Sequence, residues 1–298
     1  MKLSVYVYLA ISALIHTCVA FAPVSTLLQD HAAKISQLKE IASQYPEAPT
    51  DSIFYLRYCL SEKEDDELET LLKSNLEWRA NEGKTICGSA SAALEAATVV
   101  AGNWDNTPVR DMAPHASAVN KYITPSQCLT TPLNNGDLCY CIRAGQIDDA
   151  ALMSEVSLEQ MTEFFLYCKE VNALVANMKS EKSDQLVTVL TANDLCGVKL
   201  IGGDATFRKA LSAASNKASD LYPNLSGPTF LLNLPKLLSA LVKLFTPLFA
   251  EDVRKRLKFA RGPLIDVTDL SEISPSGNAA SRELFLEQID ELCWLESK

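Results

Sequence analysis

From residue 138 onward, short apolar or β-branched runs alternate with longer segments whose apolar residues recur every three or four positions. The short runs predict strands at residues 138–144, 186–192, 228–233 and 257–259. The helical spacing predicts helices at residues 157–179, 204–219 and 280–296. Strands that alternate with helices of this length indicate an α/β fold with a mostly parallel sheet.

The pattern before residue 138 is different. Residues 36–83 have helical periodicity and predict a small helical bundle, in which acidic residues begin one helix and Gly83 follows its end. Residues 84–135 are rich in Ala, Ser, Thr and Pro, and they predict one helix at 89–101 and otherwise a connecting segment.

Residues 236–249 form one of the most apolar stretches of the chain. Lys236 and Lys243 are its only charges, and its less apolar residues make one narrow stripe of a helix. A surface helix needs an apolar stripe of only about 100°. Periodicity alone therefore favours a core helix that is buried on nearly all sides.

Charge and the N-terminus limit the partners and the compartment. The 298-residue chain has a formal net charge of −10, which argues against nucleic acid as a partner, because such binding requires Lys and Arg to neutralise phosphates.

Residues 1–20 have a lone Lys2, an apolar run and small residues at the end, which is the pattern of a signal peptide. The run is shorter than the roughly 20 residues that span a bilayer. Phe21 directly after it resembles the junction of the bipartite presequences that target plastids in algae with secondary plastids. A plastid is therefore the expected destination, and secretion or an endomembrane lumen is the alternative.

Residues that support catalysis are scarce. The sequence contains no G-x-S-x-G, G-x-x-x-x-G-K-[ST], G-x-G-x-x-G or H-E-x-x-H motif. Only His31 and His115 follow the signal peptide, so neither a zinc site nor a catalytic site is expected, and no cofactor is implied. Eight cysteines remain after residue 20, and free buried thiols are expected because several lie in apolar runs, such as Cys139 and Cys141 in a C-x-C pair on one strand. A hydrolase would need a Ser or Cys beside His115 in space.

Four segments in order resemble the CRAL-TRIO family. They are "FYLRYCLSEKEDDELETLLKSNLEWRANEG" with its LR and WR pairs, "NNGDLCYCIRAGQID", "LVTVLTANDLCGV" with D-x-x-G at Asp194–Gly197, and "LYPNLSGPTFLLNLPKLLSALVKLFTPLF" with a YP turn and Asn233-x-Pro235. The resemblance covers residues 36–265 with a gap at 84–133.

The resemblance implies a lipid-binding fold: a small N-terminal helical bundle, then a mostly parallel sheet with flanking helices that enclose an apolar pocket. It also implies that the helix after Asn-x-Pro is a movable gate over the lipid, and this gate becomes the favoured interpretation of residues 236–249. The candidate lipid-binding residues are Leu190, Phe230, Leu232, Leu237, Leu241, Phe245, Phe249 and Arg256. The implied domain organisation is a signal peptide at 1–20, a possible transit segment at 21–35, an N-terminal helical region at 36–84, a connecting segment at 85–135 and the lipid-binding domain at 136–298.

Five cations lie close together between residues 254 and 261 of an otherwise acidic chain. They are either a solvated helix face or a docking patch for anionic headgroups. The candidate membrane-docking residues are Lys243, Arg254, Lys255, Lys258 and Arg261. Arg256 matches the position where phosphoinositide-binding members keep a lysine, but Asn224 replaces their Glu after "YP", which makes phosphatidylinositol a doubtful ligand. Asn224 is also the one N-glycosylation sequon, and a turn asparagine is the preferred interpretation.

The sequence therefore predicts a non-enzymatic protein that binds a phospholipid or an isoprenoid-type lipid and transfers it during transient membrane contact. The alternative is a protein-interaction adaptor with a vestigial lipid pocket.

Overall fold

Five strands form one sheet in the order β1-β2-β3-β4-β5. The computed structural model describes residues 22–61, 63–98, 105–198, 203–234 and 257–296. The strands are β1 (Cys128–Pro132), β2 (Leu138–Arg143), β3 (Val189–Asp194), β4 (Ser226–Leu232) and β5 (Leu257–Ala260). β1 pairs antiparallel with β2, and every later neighbouring pair is parallel. The predicted mostly parallel α/β class is confirmed.

Helices surround this sheet and fill the N-terminal part. Before the sheet lie α1 (Val24–Asp30), α2 (Ala32–Ala42), α3 (Ser52–Cys59), α4 (Asp65–Ala80), α5 (Lys84–Thr98), α6 (Thr107–Asp111) and α7 (Ala116–Val119). After β2 come α8 (Asp149–Glu155), α9 (Leu158–Ser183), α10 (Ala205–Leu221) and α11 (Ala279–Glu296), with short 3-10 helices at Ala144–Gln146 and Leu270–Ile273. Within the described residues, we find no helix with both the length and the apolar character needed to cross a bilayer.

The order of the strands determines which face of the sheet each helix covers. β2, β3 and β4 step across the sheet in one direction, and right-handed crossovers then put α9 and α10 on the same face. Phe165 of α9 and Phe207 of α10 belong to one core with Leu138, Tyr140 and Val189 of that face. The opposite face packs against α11, where Phe285, Leu286 and Ile289 are buried.

The N-terminal helices form their own core. Val24, Leu27, Ile35, Leu38 and other apolar residues of α1 to α4 are buried together. This core begins at α1, so it includes most of the segment 21–35, and the Val24 amide donates to the Asp184 carbonyl oxygen at 2.9 Å. Helix α1 is thus fastened to the C-terminal end of α9.

The buried Arg57 joins the helical part to the sheet domain. Arg57 of α3 donates to the Asn177 side chain and to the carbonyl oxygens of Val187 and Asn224, all at 2.7–2.8 Å. In return the Asn224 side chain donates to the Arg57 carbonyl oxygen at 2.8 Å. Asn224 has a left-handed backbone, φ 52°, which asparagine tolerates well. The side chain at this sequon is therefore a structural part of the turn.

A cluster of buried polar side chains connects the carboxyl ends of three strands to one loop. Arg143 at the end of β2 lies 3.2 Å from the Asp194 carboxylate and donates to carbonyl oxygens of the loop at 264–268. Asn233 donates to Asp194 at 3.1 Å and to the Pro263 carbonyl oxygen at 2.7 Å. Asp194 and Asn233, which marked the D-x-x-G and Asn-x-Pro motifs, thus hold the ends of three strands to one loop.

Candidate functional site

An apolar chamber lies between β1, β2, α9 and the segment that carries α6 and α7. Its volume is about 340 Å³. Apolar side chains of the sheet and of α9 supply most of the wall, among them Leu138, Tyr140, Phe164, Val171 and Met178. We call this space the first chamber.

A second chamber of about 140 Å³ adjoins it, further along the same face of the sheet. Its lining comes from β2, β3, β4, α9 and α10, and includes Ile142, Phe165, Thr191, Asn193, Phe207, Leu211, Ala214, Thr229 and Leu231. Ile123, Cys128 and Tyr140 line both chambers. Together the two chambers form a mainly apolar space between the sheet and its crossover helices.

The two-residue period of the strands decides which side chains reach this space. Tyr140 and Ile142 of β2, Thr191 of β3, and Thr229 and Leu231 of β4 line the chambers. Their sequence neighbours point to the other face, because successive side chains of a strand alternate.

The Tyr140 phenol and the Cys128 thiol lie at the wall that the chambers share, and the Cys168 thiol lines the first chamber. The Cys128 thiol contacts the Tyr140 hydroxyl at 3.0 Å. Burial raises the pKa of Cys128 to about 12 and also raises the pKa of Cys168 and Tyr140. These groups are therefore neutral near pH 7, and neither thiol is an activated nucleophile.

The charged groups of the chamber walls are cations. Arg110 and Lys179 line the first chamber and Lys169 lines the second, where its ammonium lies 5.9 Å from the centre of the Tyr140 ring. Among the described lining residues, neither chamber has an Asp or Glu.

Leu190, Phe230 and Leu232 lie on the opposite face of the sheet. They are buried together against Phe285 and Leu286 of α11 and do not line either chamber. The sequence analysis expected the more apolar set of alternating side chains in β3 and β4 to face the lipid. In the structure that set packs against α11, whereas the set with Thr191, Thr229 and Leu231 faces the chambers.

The other predicted pocket residues lie outside the described residues, as do three of the docking cations. They are Leu237, Leu241, Phe245, Phe249 and Arg256, and Lys243, Arg254 and Lys255. The gate interpretation of 236–249 falls there too. Lys258 and Arg261 are described and exposed on and after β5, next to Phe259, which is 49% exposed.

The histidine and cysteine chemistry is limited. The His115 Nε2 atom lies 2.7 Å from the Glu163 carboxylate, and its left-handed backbone places it in a turn. All eight described cysteines are free, and the Cys139 and Cys141 sulfur atoms lie 3.6 Å apart on one face of β2, as the C-x-C spacing predicted. No group of three or more His, Cys, Asp or Glu suited to a metal ion occurs in the described part of the chain.

Sequence reasoning missed the first chamber because half of its wall belongs to residues 106–132. That segment was interpreted as a connection, yet it contains β1 and supplies Val109, Arg110, Asn120 and Ile123 to the lining. A signal was present in β2, where Leu138, Tyr140 and Ile142 share one face by their spacing of two.

Comparison with known proteins agrees with this architecture. Residues 127–272 match the family model described as the CRAL/TRIO domain. The protein in "Crystal structure of Sfh5" has a similar fold, with a TM-score of 0.52 and 14% sequence identity over 90% of this chain and 97% of that chain. No curated protein matches the sequence. Residues 127–272 of this chain are therefore a CRAL/TRIO domain, and members of that family bind hydrophobic lipid ligands.

Proposed function

We propose that this protein binds one lipid in the two chambers and exchanges it at a membrane surface, without covalent chemistry. The observation that carries the proposal is the continuous apolar wall of two adjoining chambers on one face of the sheet. The first chamber alone, at about 340 Å³, lies within the range of small-molecule sites.

Burial of the ligand supplies the affinity. Each methylene group that moves from water into an apolar site contributes about 0.8 kcal/mol. An acyl chain or a prenyl tail therefore binds strongly with few polar contacts. The Cys128 thiol and the Tyr140 phenol at the shared wall are neutral, so neither is an activated nucleophile. This supports a carrier rather than an enzyme.

The edge of the sheet beside β5 supports contact with a membrane. Phe259 and Ile265 are 49% and 47% exposed, and Lys258 and Arg261 are exposed beside them. Large apolar side chains next to cations suit the boundary between acyl chains and anionic headgroups. This patch is the described part of the predicted docking region.

An adaptor with a vestigial pocket is the alternative, and it requires a cavity too small for a lipid. The size of the first chamber supports the carrier over the adaptor.

The test is native mass spectrometry of the protein purified without detergent, followed by solvent extraction of any bound lipid. We expect one lipid per chain, either co-purified or taken up from mixed liposomes. A protein that stays empty after both treatments would favour the adaptor.

We also propose entry through the secretory route, with removal of residues 1–20, and a plastid as the destination. Because Val24, Leu27 and Ile35 are buried in the helical core, the mature protein keeps the segment that follows Phe21. A fusion of residues 1–35 to a fluorescent protein in an alga with secondary plastids should enter the plastid. Export of the fusion to the medium would support secretion instead.

A further inference from the structure

The lining of the first chamber specifies the polar end of its ligand. We propose that the ligand carries an anionic oxygen group, which binds inside the first chamber at Arg110 and Asn172. This inference rests on the proposed function, since it names the chemical class of the lipid at that site.

The charge of the chamber walls is opposite to that of the whole protein. The chain has 37 acidic and 27 basic residues, yet the described lining of the two chambers contains cations and no carboxylate. A neutral hydrocarbon needs no cation in the wall. A cation in a largely apolar space is stabilised by an anion that binds beside it.

Arg110 is such a cation. One terminal nitrogen of its guanidinium donates to the Ile123 carbonyl oxygen at 3.0 Å, and no described carboxylate pairs with it. Partial burial lowers the pKa of Arg110, because the charged guanidinium loses part of its hydration. The remaining N–H groups are available to a ligand oxygen, and guanidinium suits the geometry of carboxylate and phosphate.

Asn172 of α9 supplies the second, independent observation. Its side chain is only 4% exposed and lines the first chamber, and its carbonyl oxygen accepts from the Thr130 hydroxyl at 3.0 Å. Its amide nitrogen is buried and has no hydrogen-bond partner. An unpaired buried polar group of this kind costs about 1–3 kcal/mol, so it indicates a missing acceptor.

The two groups together define the ligand chemistry. Arg110 and Asn172 both offer donors, so their complement is a group that only accepts, an oxyanion. A carboxylate at the end of an acyl chain and the phosphodiester of a phospholipid share this chemistry, and the measurement below separates the two.

The experiment compares oleate with oleyl alcohol, which differ only in the polar end, and adds a phospholipid as the second source of an oxyanion. The delipidated protein is titrated with oleate, with oleyl alcohol and with vesicles of dioleoyl phosphatidylglycerol, and bound lipid is counted by native mass spectrometry. We expect oleate to bind at least about tenfold more tightly than the alcohol, the size of one charge-assisted hydrogen bond. In Arg110→Gln, the oleate-to-alcohol affinity ratio should fall towards one.

Two further variants serve as controls. The first preserves the shape of a lining side chain, and the second removes a positive charge far from the chamber. Asn172→Asp keeps the shape of the side chain but puts a carboxylate into the chamber, so it should also abolish the preference for oleate. Lys73→Gln removes a surface cation far from the lining and should keep the wild-type ratio, because Lys73 pairs with Glu69 on the exposed face of α4.

Each outcome decides between the hypotheses. Uptake of phosphatidylglycerol in place of oleate, with the same dependence on Arg110, supports the oxyanion site and assigns it to a phospholipid. Equal binding of oleate and alcohol in the wild type overturns the oxyanion site and leaves the lipid carrier intact. Failure to bind any of the three lipids overturns the carrier as well.

Discussion

Replacing Glu170 with leucine is expected to lower the free energy of unfolding by about 3–5 kcal/mol. Glu170 of α9 and Arg79 of α4 form two hydrogen bonds at 2.8 and 2.9 Å, and both residues are at most 6% exposed. Burial alone would lower the pKa of Arg79, but the Glu170 carboxylate together with Cys87 and Tyr222 more than offsets this effect, and the pKa is raised. The substitution leaves a charged guanidinium in the interior without its partner, which is the costly half of a buried pair.

Urea denaturation measures this loss and separates it from ordinary surface effects. The double variant Arg79→Met with Glu170→Leu removes both charges and should recover most of the lost stability. Lys73→Gln breaks an exposed pair on the same helix and should leave the denaturation midpoint unchanged. A midpoint for Glu170→Leu equal to that of the wild type would mean that the pair does not join α4 to α9.

The family motifs proved to be mostly structural. Arg57 and Arg79, from the LR and WR pairs, attach the N-terminal helices to the sheet domain. Asp194 and Asn233 hold the carboxyl edge of the sheet together. Such residues are predictable from sequence because the fold requires them. Arg110 and Asn172 of the first chamber, by contrast, lie outside the four segments that resemble the family.

Local pattern predicted most strands and helices well, and it failed where long-range contacts decide the structure. The apolar run at residues 138–142 is typical of a buried strand by itself. β1 was missed because "CLTTP" is short and ends in proline, which is tolerated on an edge strand. The segment before it is positioned by distant partners: the Tyr167 hydroxyl donates to the Val109 carbonyl oxygen at 2.7 Å, and Lys121 pairs with Glu155 at 2.5 Å. No periodicity within residues 106–127 encodes those contacts.

The face of β3 and β4 that borders the chambers also depends on long-range contacts. Both faces of β3 and β4 are covered, so hydrophobicity alone does not tell which side encloses a ligand. The more apolar phase, with Phe230 and Leu232, packs densely against α11. The phase with Thr191 and Thr229 borders open space and has more polar side chains. In this sheet, the less apolar face is therefore the one that borders the chambers.

Filling the second chamber tests most directly whether the lipid binds on the face of the sheet that carries Thr191 and Thr229. Ala214→Phe is expected to reduce lipid uptake at least about tenfold, because Ala214 is 3% exposed and lines the chamber from α10. The added ring occupies the volume that an acyl chain would use. It enters open space rather than a packed core, so the overpacking cost is avoided and the protein should stay folded.

The neighbouring Ala213→Phe is the matched control, since Ala213 is exposed on the same helix and the same substitution there leaves the chamber unchanged. Thr191→Met fills the chamber from the sheet side and should reproduce the loss of uptake. Lipid uptake is read from liposome transfer, and folding from the thermal unfolding midpoint. If Ala214→Phe and Thr191→Met both fold and still take up lipid like Ala213→Phe, the ligand lies elsewhere, and the face with Phe230 and Leu232 becomes the place to search.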